Sequence, residues 1–420
     1  MKLATYNSFI QSPRSDLLPL NASLALDFSR GYYRLGNGPI VKDPTLIPGL
    51  THSRSGAEQL SYNPVTGKWQ IFAANAMATM LNVGFDAAEG TTNKFQNFNA
   101  SPTTTTGINT SGISSGVLTV VDDVAELVAA GFGDLIAAGK MNGKVFKLDN
   151  SAGGTNSVLA LLGGTGNTAQ NVFSLFFRGS WAGTGLTIGL SGNGGSNKNL
   201  AAQSRYTRAA TVPFQPASDT FAFIQLAAGG VLYFILNQLE EKAYATNPTI
   251  IAGATATRGN ALPIITGLAS ILTPPFTLVA VANLSAIDGV DRDLVDLSAT
   301  GINSDSMYLV RNLANTALFA MTTGGAVQAS ATFPNKAGPR LLKMAWRVRA
   351  TTATPAVDGV LGSPATVTPP PLAILTLGSR LGNNRFLKSP LLFVGVFSDL
   401  SDSQLQAITS SSGGALMDFT

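Results

Sequence analysis

Tyr233 to Arg258 reads YFILNQLEEKAYATNPTIIAGATATR, and this stretch decides how the rest of the chain is divided. Tyr233–Leu236 is an aromatic and aliphatic run suited to a pleated strand, and it leads into Gln238-Leu239-Glu240. A turn of small and aromatic residues follows, then an extended segment marked by Pro248, then Ala254-Thr255-Ala256-Thr257-Arg258. Strand, turn and extended run in succession read as part of an all-β chain.

Working outward, composition supports that division. The chain has 420 residues, enough for two or three domains with their own cores. Charged residues make up 12% of it, against roughly 25% in ordinary globular chains. Gly (44) and Pro (21) are abundant, and apolar residues reach 45%. This is too apolar for a disordered tail and fits an all-β protein whose short strands need frequent turns. The net charge of +4 is spread without any Lys/Arg-rich run, so no nucleic-acid partner is expected. The absence of cysteine excludes disulfides, thiolate metal sites and cysteine nucleophiles. The opening MKLATYNSFIQSPRSD has no apolar signal core. Phe221–Leu236 is shorter than a membrane span and broken by Gly229-Gly230, so it reads as strand–turn–strand and no membrane insertion is expected.

The expected domains are an extended/β segment over 1–93 and antiparallel β-sandwiches over 94–258 and 259–420, with few short helices. In the first segment Leu24, Leu26 and Phe28 alternate onto one strand face. In the second, Asp122 and Asp123 offer an N-cap to VAELVAAGFGDLIAAGK, where Val124, Leu127, Val128, Leu135 and Ile136 fall on one helical face and Gly139 ends the run. Gly131 and Gly133 cost about 1 kcal/mol each inside a helix, which predicts a short or broken one. Phe173, Leu175 and Phe177 share a strand face. In the third, nine strand candidates from Pro275 to Ser398 recur at sandwich spacing. Pro369–Pro371 form an edge or loop, and Ser401 caps a final helix. The halves close on different motifs, so duplication is not supported.

Several strings carry a resemblance to known families. Gln238-Leu239-Glu240 with the closing Ala256-Thr257-Arg258, the Leu26-Asp27-Phe28 strand, His52-Ser53-Arg54, and the Lys147-Leu148-Asp149-Asn150 and Phe177-Arg178-Gly179 strings resemble bacteriophage tail and fibre proteins with a carbohydrate-binding-module-like β-sandwich. Phe276–Ala280, Val357-Asp358-Gly359, Leu377-Gly378-Ser379 and Leu400–Leu405 resemble a concanavalin A-like (laminin-G-like) jelly roll. The resemblance implies a non-catalytic virion structural protein of a tail fibre or tail tip, assembled in the host cytoplasm. Residues 1–93 would attach it to other virion proteins, and it would bind host-surface polysaccharide as a homo-oligomer, with trimer the usual state of such fibres. A head fibre or capsid-decorating protein is the alternative, and a polysaccharide-degrading tailspike enzyme a third reading.

Candidate site residues are few. Trp181 sits in the Gly179–Gly185 turn, where it either stacks on a sugar ring or folds back to cap the sandwich end; Tyr206, between Arg205 and Arg208, joins it as a glycan or partner surface. Asp288, Asp291 and Asp293 supply hard oxygen ligands suited to calcium, although Arg292 lies among them and offers itself as their ion-pair partner instead. Of the other acidic pairs, Asp122-Asp123 reads as a helix cap and Glu240-Glu241 as a solvated edge; paired carboxylates are what glycoside hydrolysis requires. His52 is the single histidine and reads as structural or surface. Trp69 and Trp346 alternate with apolar neighbours and point inward.

Overall fold

The computed structural model describes residues 22–81, 83–87, 91–95, 99–114, 116–165, 169–191, 196–216, 220–242, 245–250, 256–284, 291–299, 304–311, 316–334, 340–380, 385–387 and 389–410. The protein is all-β, built from antiparallel sheets with short helical pieces. It divides into two units, one inserted into the other in sequence. The inserted unit comprises Arg54–Ala76 and Gly90–Asn260; the split unit comprises Met1–Ser53, Met77–Glu89 and Ala261–Thr420.

The inserted unit packs two five-stranded sheets. One runs, in spatial order, Val117–Asp122, Lys144–Asp149, Val231–Glu240, Val172–Ser180 and Thr207–Ala210; the other runs Lys198–Leu200, Leu186–Leu190, Thr220–Leu226, Ser157–Thr165 and Ile108–Gly112. Strand alternation sends Phe146, Leu148, Phe173, Leu175, Phe177, Leu232 and Phe234 of the first sheet against Leu159, Leu161, Ile188, Leu190, Ile224 and Leu226 of the second. The outer face of the first sheet carries a second apolar layer. Phe176, Ile235 and Leu236 meet Leu127, Phe132 and Leu135 of the helical segment and Leu60 of the Gln59–Asn63/Lys68–Phe72 hairpin. Trp69 of that hairpin stacks on Phe132 (5.6 Å, 3°) and meets Phe176 edge-on.

The helical segment is broken, as its glycines suggest, but its face differs from the expected one. It runs Val124–Leu127, a wider turn Val128–Phe132, then Gly133–Ala137, with Gly131 at φ +91°. That kink turns Leu127, Phe132 and Leu135 inward and leaves Val124 and Val128 exposed. Gly139 follows at φ +67° and closes the run. The Val231–Glu240 strand contains a bulge: Ile235 faces Phe176 and Gln238 faces Ser174, so two residues oppose one. Leu236 takes φ +54° there and donates its N–H to the Asn99 carbonyl.

The split unit packs a ten-stranded sheet against a seven-stranded one. The seven-stranded order is Ala326–Phe333, Ala317–Thr323, Ser306–Arg311, Arg292–Ser298, Ile374–Leu377, Leu262–Ile265 and Leu50–Ser53. The other sheet is centred on Ala22–Asp27, Leu391–Phe397, Phe276–Leu284 and Arg340–Val348. Leu24, Leu26 and Phe28 all enter the core with Leu278, Leu297, Phe319 and Trp346. The Asp402–Thr409 helix covers the outer face through Leu405 and Ile408, and Ser401 and Gln404 form a reciprocal capping box.

The expected segment over 1–93 is therefore shared between the units in the structure. Its Ala22–Asp27 strand pairs with Leu391–Phe397, and its Leu50–Ser53 strand, which carries His52, pairs with Leu262–Ile265. Its Thr91–Asn93 strand pairs with Ala256–Arg258 in the inserted unit. Leu24 and Leu26 carry the first of these strands into its core, whereas Thr91 and Asn93 are held by hydrogen bonds to Glu240 and to the Asn237 carbonyl.

Candidate functional site

Trp181 folds back. It follows the Val172–Ser180 strand, is 9% exposed, lies 6.1 Å from the Phe177 ring, and donates its Nε1–H to the Leu200 carbonyl at 2.9 Å. It caps the sandwich end and offers no free ring face of the kind a sugar platform needs. Arg205 is exposed. Arg208 turns to the protein, donating to Ser174 Oγ at 3.0 Å and to the Thr246 carbonyl. Burial lowers its guanidinium to about 10, against the pull of Glu240 and with help from Arg258. The expected quartet of Trp181, Arg205, Tyr206 and Arg208 is thus not a single surface.

Tyr206 belongs to a different group. Its hydroxyl donates to Asp123 Oδ2 at 2.6 Å, and burial and then this bond raise its pKa. Asp123 makes no capping bond to the helix that follows it. Its carboxylate is held by Arg178 through two bonds, Nε to Oδ2 at 2.9 Å and Nη2 to Oδ1 at 2.6 Å. The Arg178 guanidinium lies 4.0 Å from the Tyr233 ring centroid and 5.6 Å from that of Tyr206. Burial opposes its charge, but the bonds to Asp123 raise its pKa overall.

Register explains this gathering. Thr119, Lys147, Tyr233 and Arg178 are direct partners across four adjacent strands, so they form one row on the outward face. Lys147 Nζ lies 5.9 Å from the Tyr233 centroid and 2.8 Å from Asp149 Oδ2. Hydrogen bonds from Lys147 and Ser151 hold the Asp149 carboxyl down to about 2, and the same bond raises Lys147. Thr119 is exposed, and Lys147, Tyr233 and Arg178 are half-buried. Beside the helical cover, the row is an aromatic side chain between two cations, each already matched to a carboxylate. Lys147, Asp149, Arg178 and Tyr233 were not singled out from sequence; strict alternation with the core residues Phe146, Leu148, Phe177, Leu232 and Phe234 is the signal that places them outward.

Glu240 corrects a second expectation. It is wholly buried, not a solvated edge, and accepts from Thr91 Oγ1 (2.5 Å), Thr246 Oγ1 (2.5 Å) and Thr246 N (3.1 Å). Gln238 accepts from Thr249 N at 2.7 Å, and Arg258 donates to the Asn247 carbonyl at 3.0 Å. The closing triplet therefore ties the segments before and after it to the sheet. Glu241 reaches Lys94 at 3.6 Å.

Of the three aspartates, Asp288 lies outside the described residues. Asp291 pairs with Arg385 at 3.2 Å. Asp293 lies on the Arg292–Ser298 strand, not on a loop, and is wholly buried with neither carboxylate oxygen hydrogen-bonded. Burial pushes its carboxyl up to about 8; Arg385 and Arg380 pull down, Asp296 and Asp291 push up. Among the described residues, no group of three or more His, Cys, Asp or Glu could hold a metal ion. Arg380 stacks over Tyr308 at 3.9 Å and stands 3.9 Å from Asp296.

No protein-family model matches the chain, and no curated protein matches it at a significant level. Similar solved structures cover about a third of it. A Ruminococcus gnavus intramolecular trans-sialidase carbohydrate-binding module (CBM40) bound to α2,3-sialyllactose is 16% identical with a TM-score of 0.28, over 32% of this chain and 82% of its own. A Streptococcus pneumoniae NanB sialidase mutant is 17% identical with a TM-score of 0.29, over 36% and 26%. A Limulus polyphemus pentraxin is 8% identical with a TM-score of 0.25, over 33% and 70%.

Proposed function

We propose that this chain is a non-catalytic glycan-binding structural protein of a bacteriophage virion, placed at a tail fibre or tail tip and engaging host-surface polysaccharide during attachment. The observation that carries the binding part is the Thr119–Lys147–Tyr233–Arg178 row. It sets hydrogen-bond donors and acceptors side by side on a rigid sheet, around a Tyr233 ring covered by Arg178, which suits a polyhydroxylated ligand. The virion part rests on the tail-protein strings around Gln238-Leu239-Glu240 and the jelly-roll strings from Val357 to Leu405. Oligomer symmetry multiplies weak sites of this kind into useful avidity. Attachment through the N-terminal residues belongs to the same reading, as does a head-fibre position as its alternative.

Glycan-array binding by the intact chain tests the first part, and immunogold electron microscopy of assembled particles tests the second. Absence of signal on every glycan ends the binding reading; absence from the particle ends the virion reading.

One observation favours a second reading, polysaccharide cleavage. Burial raises the Asp293 carboxyl, and the nearby Asp296 charge adds to it, so the two acids are unequal in the way glycosidase acid and base are. Both are wholly buried, which keeps substrate from them in this conformation. Release of reducing ends from polysaccharide, lost in Asp293→Asn, would favour it.

A further inference from the structure

The charges of the row carry an inference about which glycan it takes, and this rests on the glycan-binding reading. Its two cations are already neutralised. Arg178 is engaged by both oxygens of Asp123, and Lys147 by Asp149. An acidic sugar would have to displace a built carboxylate, at the desolvation cost of leaving that carboxylate without its partner, or accept a site with almost no net field. A neutral sugar faces neither cost. Arg178 has five N–H donors, of which Asp123 takes two in this geometry, and Lys147 has three. Asp149 and Asp123 hold spare lone pairs, and the Thr119 hydroxyl both donates and accepts. The Lys147–Asp149 pair thus offers a donor and an acceptor a few ångströms apart, suited to neighbouring hydroxyls on one ring, and the more buried Arg178–Asp123 pair closes the far end.

The row also has a direction. Thr119 to Arg178 spans three strand spacings, about 14 Å, so an extended chain of sugars running across the strands meets the four residues in turn. At the Arg178 end, Tyr206 and Asp123 pack against the guanidinium and fix its plane.

We propose that Thr119, Lys147, Tyr233 and Arg178 form the platform for an uncharged polysaccharide strand lying across the sheet, and that sugars bearing carboxylates are not its ligands.

The test is an array carrying neutral hexose and N-acetylhexosamine oligosaccharides beside uronic-acid and sialic-acid ones, probed with the full chain. Binding is expected on neutral members only, and it is expected to persist in about 0.5 M NaCl, where exposed charge attraction is largely screened. Tyr233→Ala and Lys147→Ala should each weaken it by about tenfold or more. Thr119→Trp changes an exposed position, leaves the core intact, and should block binding while leaving the melting temperature unchanged. Binding confined to acidic members overturns the inference and leaves glycan recognition standing. Neutral binding that Thr119→Trp does not affect overturns the location. Silence across the whole array overturns glycan recognition itself, and the inference with it.

Discussion

A Cβ built on Gly131 would stand 2.1 Å from the Gly67 carbonyl oxygen. The broken helix and the Asn63–Gly67 turn therefore meet backbone to backbone, and Gly131 at φ +91° also occupies the left-handed region that favours glycine. Gly131→Ala faces a steric and a conformational penalty at one position, and a loss of about 3 kcal/mol or more is expected. Gly139 is the control: it has φ +67° and nothing within 4 Å of a built Cβ. Gly139→Ala should cost about 1 kcal/mol. Equal shifts in the two urea midpoints would show that the hairpin contact contributes nothing.

Glu240→Ala should destabilise far more than Glu241→Ala. The first leaves Thr91, Thr246 and the nearby Arg208 without the carboxylate they surround, and a loss of about 3–5 kcal/mol is expected for removing one partner from a buried charged network. The second removes a loose surface pair, worth about 0.5 kcal/mol or less. Chemical denaturation of the two variants side by side decides it.

Asp293 should make stability fall as pH rises. Burial pushes its carboxyl up to about 8 in the folded protein, from about 3.9 for an unperturbed aspartate. Between those values the native state holds a proton that the unfolded chain has released, so stability is fully present below about pH 4 and is lost progressively up to about pH 8. Asp293→Asn removes the titrating proton and should flatten that slope. Melting temperatures from pH 4 to 9 that run parallel in the two proteins would dismiss this account.

Trp181→Ala should lower the melting temperature and leave glycan binding unchanged, since the ring fills the sandwich end and its N–H is used by Leu200. The expected loss is about 3–5 kcal/mol. Tyr206→Phe removes a bond to Asp123 but leaves the Arg178 pair, and about 1.5–3 kcal/mol is expected for a hydroxyl donating to a carboxylate. Loss of binding at full stability in Trp181→Ala would restore that residue to the site.

The strands were legible because their apolar residues alternate: Leu24, Leu26 and Phe28, and Phe173, Leu175 and Phe177, lie in the cores the pattern assigns them. Ser401 was legible for a local reason, since a capping box is written in four consecutive residues. The discontinuous unit was not, because which strand Ala22–Asp27 pairs with depends on Leu391–Phe397, and nothing local encodes a partner so distant. The site failed in a similar way. Trp181 in a glycine-rich turn gives no sign of whether it turns outward or back. Arg178, Lys147 and Tyr233 look like ordinary surface positions until register sets them beside one another. Glu240 looked solvated because its partners, Thr91 and Thr246, lie on separate segments.

The nesting of one unit inside the other has a consequence for biosynthesis. As the chain leaves the ribosome, every strand of the inserted unit emerges by Arg258, so that sandwich is complete and free to fold first. The Ala22–Asp27 strand emerges earlier still, yet its neighbour Leu391–Phe397 is made only after the whole inserted unit. An apolar edge therefore waits while the inserted unit is synthesised, the circumstance in which aggregation competes with folding. Low-temperature expression or a holdase chaperone is accordingly expected to raise soluble yield.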